Sequence, residues 1–152
     1  MRLRIIWLGK TRDSRLRELI DDYEGRLSHF VRVEVTEVRE GGRTDKAGID
    51  KDLERISDAL PASATIIALD PGGIEWTSEE LAAQIRKWEN SSIKEVAVLI
   101  GGPNGLSPSL ISRADKCWAL SRLTLTHEMA RVLLLEQLYR AYTIIHSLPY
   151  QK

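Results

Sequence analysis

The stretch LIGGPNGLSP, residues 99–108, decides how this chain is read. It continues the run EVAV, and the combined segment is almost unbroken in apolar residues. That is the pattern of a strand buried on both faces. Glycines at 101, 102 and 105 then mark a turn, and Ser107 followed by Pro108 supplies an N-cap and a first helical residue. A strand running through a glycine-rich loop into a helix is the building unit of parallel α/β sheets. The loops at the strand ends are where such sheets hold ligands.

The same alternation runs through the rest of the chain. RLRIIWLG (residues 2–9) reads as a first strand closed by Gly9. Leu16, Leu19, Ile20, Tyr23, Leu27 and Phe30 follow at helical spacing. RVEVTEV (32–38) alternates as a strand, and a basic, glycine-containing loop leads to a helix striped by Ile49, Leu53, Ile56 and Leu60, which Pro61 stops. ATIIALD (64–70) is a third strand, expected to break at PGG. Thr77 and Glu80 form a capping box for a helix that turns Leu81, Ile85 and Trp88 inward. After the segment quoted first come a short strand, KCWALS (116–121), and one long helix from about Thr126. The expected fold is α/β, a parallel sheet flanked by helices.

Three of the expected strands end in conspicuous loops: LDPGG (69–73), IGGPNG (100–105) and LSRLTLTH (120–127). The glycine loop lacks the chemistry of a phosphate cradle. No Lys or Arg follows it before Arg113, Pro103 removes an N–H donor, and neither GxxxxGK[ST] nor GxGxxG is present. Read alone it is a tight turn. Beside the other two loops it suits a ligand held by backbone groups and apolar walls, with the glycines allowing close approach. A ligand with an adenine and no phosphate, S-adenosyl-L-methionine, fits that description.

Composition narrows the class. The 152 residues form one domain, 1–152, with 43% hydrophobic and 29% charged residues. Twenty-two basic residues balance 22 acidic ones, which argues against indiscriminate binding to nucleic acid and leaves room for a local basic patch. Cys117 is the only cysteine, and no His or Cys spacing suggests a metal site. No apolar run approaches membrane-spanning length and the apolar start is too short for a signal peptide, so a cytoplasmic protein with no membrane partner is expected.

LIGGPNGLS (99–107), WALSRLTLTHEMARVLLLEQLYRAYTI (118–144), the terminal PY (149–150), LRIIWLGK (3–10) and YEGRL (23–27) together resemble the SPOUT-class methyltransferases called ribosomal RNA large subunit methyltransferase H. The likeness covers essentially the whole chain. It implies a SPOUT fold with a C-terminal deep trefoil knot over about residues 96–147, a topology that periodicity does not show. It implies a homodimer that uses S-adenosyl-L-methionine to methylate N3 of a pseudouridine in 23S rRNA. Family cofactor contacts carry over to Leu69, Gly101, Leu120, Ser121, Arg122, Leu123, Thr124 and Leu125. The chain departs from the family at Thr126, where members commonly have proline and where threonine is a suitable N-cap, and at Gln151, where they often have histidine.

His127 directly follows the cofactor loop and becomes the candidate base. Arg131, one turn on, is expected either in a salt bridge with Glu128 or Glu136 or on the RNA and the substrate ring. Lys10, Arg12, Arg15, Arg17, Arg39, Arg43 and Lys46 are candidates for a basic rim, and the four tryptophans for core or interface. Without a recognition domain or net positive charge, the expected partner is rRNA of the large subunit within the assembled ribosome. The competing reading is a non-enzymatic ribosome- or nucleotide-binding module that keeps the ligand loops. Transfer of labelled methyl into ribosomes separates the two.

Overall fold

The structure is a computed structural model that describes residues 1–42 and 45–150. Arg43 of the expected basic rim and Gln151 therefore lie outside the described residues. Five strands, β1 (Arg2–Leu8), β2 (Arg32–Val38), β3 (Thr65–Glu75), β4 (Glu95–Ile100) and β5 (Lys116–Ala119), form one sheet in the order β2-β1-β4-β3-β5. Every pairing is parallel. Central β4 is buried at five of its six positions, as its unbroken apolar run requires.

Five helices alternate with the strands: α1 (Ser14–Leu27), α2 (Lys46–Ala59), α3 (Ser78–Asn90), α4 (Pro108–Arg113) and α5 (His127–Ile145). One face of the sheet carries α1, α3 and α5 over a core containing Leu3, Ile5, Ile20, Leu81, Ile85, Val98, Leu134, Leu135 and Leu138. The other carries α2 and α4 over a smaller core of Ile6, Val38, Ile56, Ala68, Leu99, Leu106 and Leu110. The caps read from sequence form. Thr77 and Glu80 close a reciprocal capping box, Ser107 caps α4 with Pro108 at its start, and Thr126 caps α5.

One expectation fails. PGG does not end β3, which continues to Glu75. Both Leu69 and Ile74 pair with Trp118, so residues 70–73 leave the ladder as a bulge and the strand resumes beyond them. The bulge accommodates Pro71, which has no N–H to give a ladder. Gly73 brings the chain back. A Cβ there would stand 2.6 Å from the carbonyl carbon of Cys117, so the return to β5 depends on glycine.

Trp7, Trp88 and Trp118 are buried. Trp76 packs on the Trp118 and Trp88 rings, with centroids 5.3 and 6.3 Å apart. The tryptophans are core residues, as expected.

Candidate functional site

In the order of the sheet, β4, β3 and β5 are neighbours, so the loops leaving their carboxyl ends meet. They enclose a cleft of about 500 Å³. Leu69, Asp70 and Pro71 come from the β3 bulge. Ile100 through Pro103 and Gly105 come from the glycine loop, and Leu120, Ser121, Leu123, Thr124, Leu125 and Thr126 from the segment after β5. Trp118, His127 and Ala130 complete the wall. The three loops singled out in sequence are thus the three that build the cleft.

Among the expected cofactor contacts, Leu69, Gly101, Leu120, Ser121, Leu123, Thr124 and Leu125 all line it, whereas Arg122 is exposed and does not. The expected contacts did not include Asp70, Pro71, Ile100, Gly102, Pro103, Gly105, Trp118, Thr126 and Ala130. All but Trp118 and Ala130 carried a signal, since they lie inside the three loops already marked as ligand-facing. Trp118 and Ala130 carried none, because only the sheet order and the approach of α5 bring them there.

The glycine loop is the tight turn that its sequence alone suggests, and it also lines the cleft. A Cβ at position 101 would stand 2.2 Å from the carbonyl carbon of Gly105, so the space that Gly101 leaves is filled by the loop's own backbone. Gly105 N–H donates to the Gly102 carbonyl at 2.9 Å, and Gly105 has φ +72°, a conformation that favours glycine. The first role of these glycines is to close a turn small enough to end β4 and start α4.

The donor set of the cleft is selective. No described Lys or Arg lines it; its side-chain polar groups are the Asp70 carboxylate, the hydroxyls of Ser121, Thr124 and Thr126, and the His127 ring. Several of these are committed to shaping the loops. Asp70 accepts the Gly72 N–H at 2.8 Å, Ser121 accepts the Leu123 N–H at 3.0 Å, and Thr126 accepts the Met129 N–H at 3.3 Å. Backbone edges and apolar walls remain for a ligand.

His127 opens α5 and lines the cleft, half-buried. Burial holds its imidazole below its ordinary range, the Arg131 charge lowers it further, and Glu128 and Glu40 partly oppose them. The ring is therefore biased towards the neutral form that accepts a proton.

Arg131 lies elsewhere. It is fully buried and is not on the cleft surface. Its Nη1 donates to Thr11 Oγ1 at 2.9 Å and its Nη2 to the Leu8 carbonyl at 2.6 Å, while the guanidinium sits 5.0 Å from the centre of the Trp7 ring. Neither expected salt bridge forms. Glu136 pairs with Arg140 at 2.7 Å, and Glu128 accepts the backbone N–H of Arg12.

Of the expected basic rim, Arg15 pairs with Asp13 at 2.8 Å and Arg17 bonds the Thr11 carbonyl, while Lys10, Arg12, Arg39 and Lys46 are exposed. Tyr150 of the terminal PY packs edge-on against Tyr139, under Arg140, and donates to Glu136 at 3.3 Å.

A sequence model of the family described as "Predicted SPOUT methyltransferase" matches residues 1–151. The protein of Geobacter metallireducens named ribosomal RNA large subunit methyltransferase H is 44% identical over 151 residues, spanning 99% of this chain and 98% of that one. One of the same name from Desulfotalea psychrophila is 42% identical, with both chains covered in full. Among solved structures, a probable methylase family protein from Haemophilus influenzae superposes with a TM-score of 0.59 at 14% identity, covering 99% of this chain and 70% of that one. A probable methyltransferase from Bordetella pertussis gives 0.58 at 17% identity, covering 92% and 95%. These structural likenesses concern the fold.

Proposed function

Since the chain belongs to the SPOUT methyltransferase family, and to the branch of ribosomal RNA large subunit methyltransferase H, we propose that it methylates N3 of a pseudouridine in 23S rRNA, using S-adenosyl-L-methionine. The observation that carries this reading is the cleft at the ends of β3, β4 and β5, walled by backbone and apolar side chains, free of described cations, and lined by His127. A nucleotide cofactor would bring phosphates that this lining cannot neutralise.

The residues present fit S-adenosyl-L-methionine. Leu69, Gly101, Leu120, Ser121, Leu123, Thr124 and Leu125, which line the cleft, would hold it, whereas Arg122 stands outside the lining. When bound, it supplies an electrophilic methyl group on a sulfonium, which needs neither metal nor covalent enzyme intermediate. The work left to the chain is to orient the acceptor ring and to remove a proton. Uracil N3 is protonated at neutral pH, so its lone pair becomes available only when that proton leaves. His127 accepts it, its lowered pKa keeping the acceptor nitrogen free at neutral pH.

The substrate is rRNA of the assembled ribosome. A single domain with 22 basic and 22 acidic residues has little to grip naked RNA with, and a preformed ribosomal surface supplies the missing recognition. No helix among the described residues is long and apolar enough to cross a membrane, consistent with a cytoplasmic place of work. The reading includes a trefoil knot over about residues 96–147. It is supported by the path of the chain, which passes from β4 beyond β3 to edge strand β5 and then returns over the strand ends into α5 on the α1 and α3 face. It also includes a homodimer.

Transfer of labelled methyl from S-adenosyl-L-methionine into ribosomes lacking the modification tests the proposal, alongside calorimetry with S-adenosyl-L-methionine, ATP and NAD. Stoichiometric transfer to one pseudouridine and preference for the sulfonium ligand are expected. Tighter binding of ATP, or cofactor binding with no transfer, would overturn it, the latter in favour of a binding module.

A further inference from the structure

We propose that Arg131 is a positioning residue for the transfer: from inside the fold it fixes the first turn of α5, and with it His127, against the exit of β1. The inference rests on the methyltransferase reading above.

Arg131 follows His127 by one helical turn, so the two leave α5 on the same side, one reaching the cleft and the other the interior. The buried guanidinium spans two acceptors on a neighbouring segment, Thr11 Oγ1 at 2.9 Å and the Leu8 carbonyl at 2.6 Å. Thr11 is itself buried, and its carbonyl is held by Arg17. The next backbone N–H, that of Arg12, donates to the Glu128 carboxylate, so two residues in the first turn and a half of α5 grip the same five-residue stretch, Leu8 to Arg12, at the exit of β1. The guanidinium also lies over the Trp7 ring, 5.0 Å from its centre, within cation–π range.

A tie between helix and strand does not call for an ion. No described carboxylate lies within ion-pair distance of Arg131, and a buried charge without a counter-ion is a poor stabiliser compared with an apolar side chain of similar volume. What an apolar side chain cannot do is bridge two acceptors through a rigid fork and place a fixed positive field one turn from the His127 ring. The charged and titratable groups facing that ring are Arg131 and Glu128 of α5, Glu40 beyond β2, and Arg12 beyond β1. Arg131 is the one buried among them, so its field is the least screened by solvent.

Three variants separate positioning from stability: Arg131→Met, Arg131→Lys and Thr11→Val. Each is measured by single-turnover methylation of ribosomes across pH at saturating S-adenosyl-L-methionine, and by NMR titration of the His127 ring in the free protein. In Arg131→Met, the plateau rate falls by about tenfold or more, as expected for a displaced catalytic group. Its acid limb and the His127 midpoint both move to higher pH, because the lost positive charge had favoured the neutral ring. Arg131→Lys restores the position of the limb but not the plateau, since a point charge does not reproduce the fork. Thr11→Val keeps the limb and lowers the plateau. Wild-type plateau and limb in Arg131→Met, whatever its melting temperature, would overturn the inference. If that variant does not fold, wild-type plateaus in both other variants would do so. Failure of wild-type protein to methylate ribosomes would defeat the methyltransferase reading instead. The His127 titration still decides in that case, an unchanged midpoint in Arg131→Met counting against the inference.

Discussion

Gly101 and His127 show how much single positions decide at this site. At Gly101 even a methyl group would run into the backbone of Gly105, and backbone, unlike the end of a flexible side chain, cannot step aside cheaply. Gly101→Val therefore reshapes the loop as well as closing the cleft. We expect loss of S-adenosyl-L-methionine binding by calorimetry together with a stability loss of about 1–3 kcal/mol in denaturant melts. Unchanged stability with lost binding would instead mean that the loop relaxes freely. His127 carries a pH dependence whose sign is fixed. Partial burial and Arg131 hold its folded-state pKa below the ordinary 6.5. The unfolded chain therefore takes up a proton first as pH falls, and stability declines from pH about 6.5 down through the folded-state value, levelling off below it. His127→Gln abolishes that component, which a difference between the two pH–stability curves isolates. Parallel curves would contradict the burial described here.

At the scale of elements, the informative feature is the start of α5. Thr126 has φ −63° and ψ 147° and caps the helix through its hydroxyl. Thr126→Ala removes the cap and should cost about 1 kcal/mol. The same backbone angles suit proline, whose ring fixes φ near −65° and which reduces the freedom of the unfolded chain. Thr126→Pro should thus recover at least half of the loss seen in the alanine variant. A proline variant less stable than alanine would mean that the Thr126 N–H or the conformation of Leu125 matters more than the angles suggest. Threonine and the proline that the family resemblance leads one to expect here are thus two chemistries that satisfy one helix start.

For the whole molecule, α5 is the element to follow. Its sequence is apolar around most of its circumference, which suggests a partner, yet α1 and α3 flank it within the chain and bury Val132, Leu134, Leu135, Leu138, Ala141 and Tyr142. The less buried face runs through Met129, Leu133, Glu136, Arg140 and Ile144, with Met129 and Ile144 exposed and Leu19 and Leu148 exposed elsewhere. That narrow strip, rather than the whole helix, is what a second copy would cover in the proposed homodimer. Light scattering at micromolar concentration should give twice the mass of 17.2 kDa, and Ile144→Glu should shift the protein towards monomer. A wild-type monomer at that concentration would remove the dimer from the proposal.

Much of this architecture was legible in the residues themselves. The strand and helix order, the caps at Thr77, Ser107 and Thr126, and the three ligand-facing loops all follow from spacing, capping and turn chemistry, which act over a few neighbouring residues. Buried β4 announced itself because a strand covered on both faces has no reason to alternate. Three things came only with the tertiary structure. PGG reads as a strand end, but β5 recaptures the chain at Ile74 because Gly73 leaves room for close approach. The space beside Gly101, which also lines the cleft, is filled by the backbone of Gly105, four residues along the loop. Arg131 reads as a surface or substrate-facing cation and is instead buried on Trp7, Thr11 and Leu8. In each case the partner is brought in by the fold rather than by local spacing. Local propensity fixes which element a residue belongs to, but which atoms fill the space beside it depends on how the elements pack.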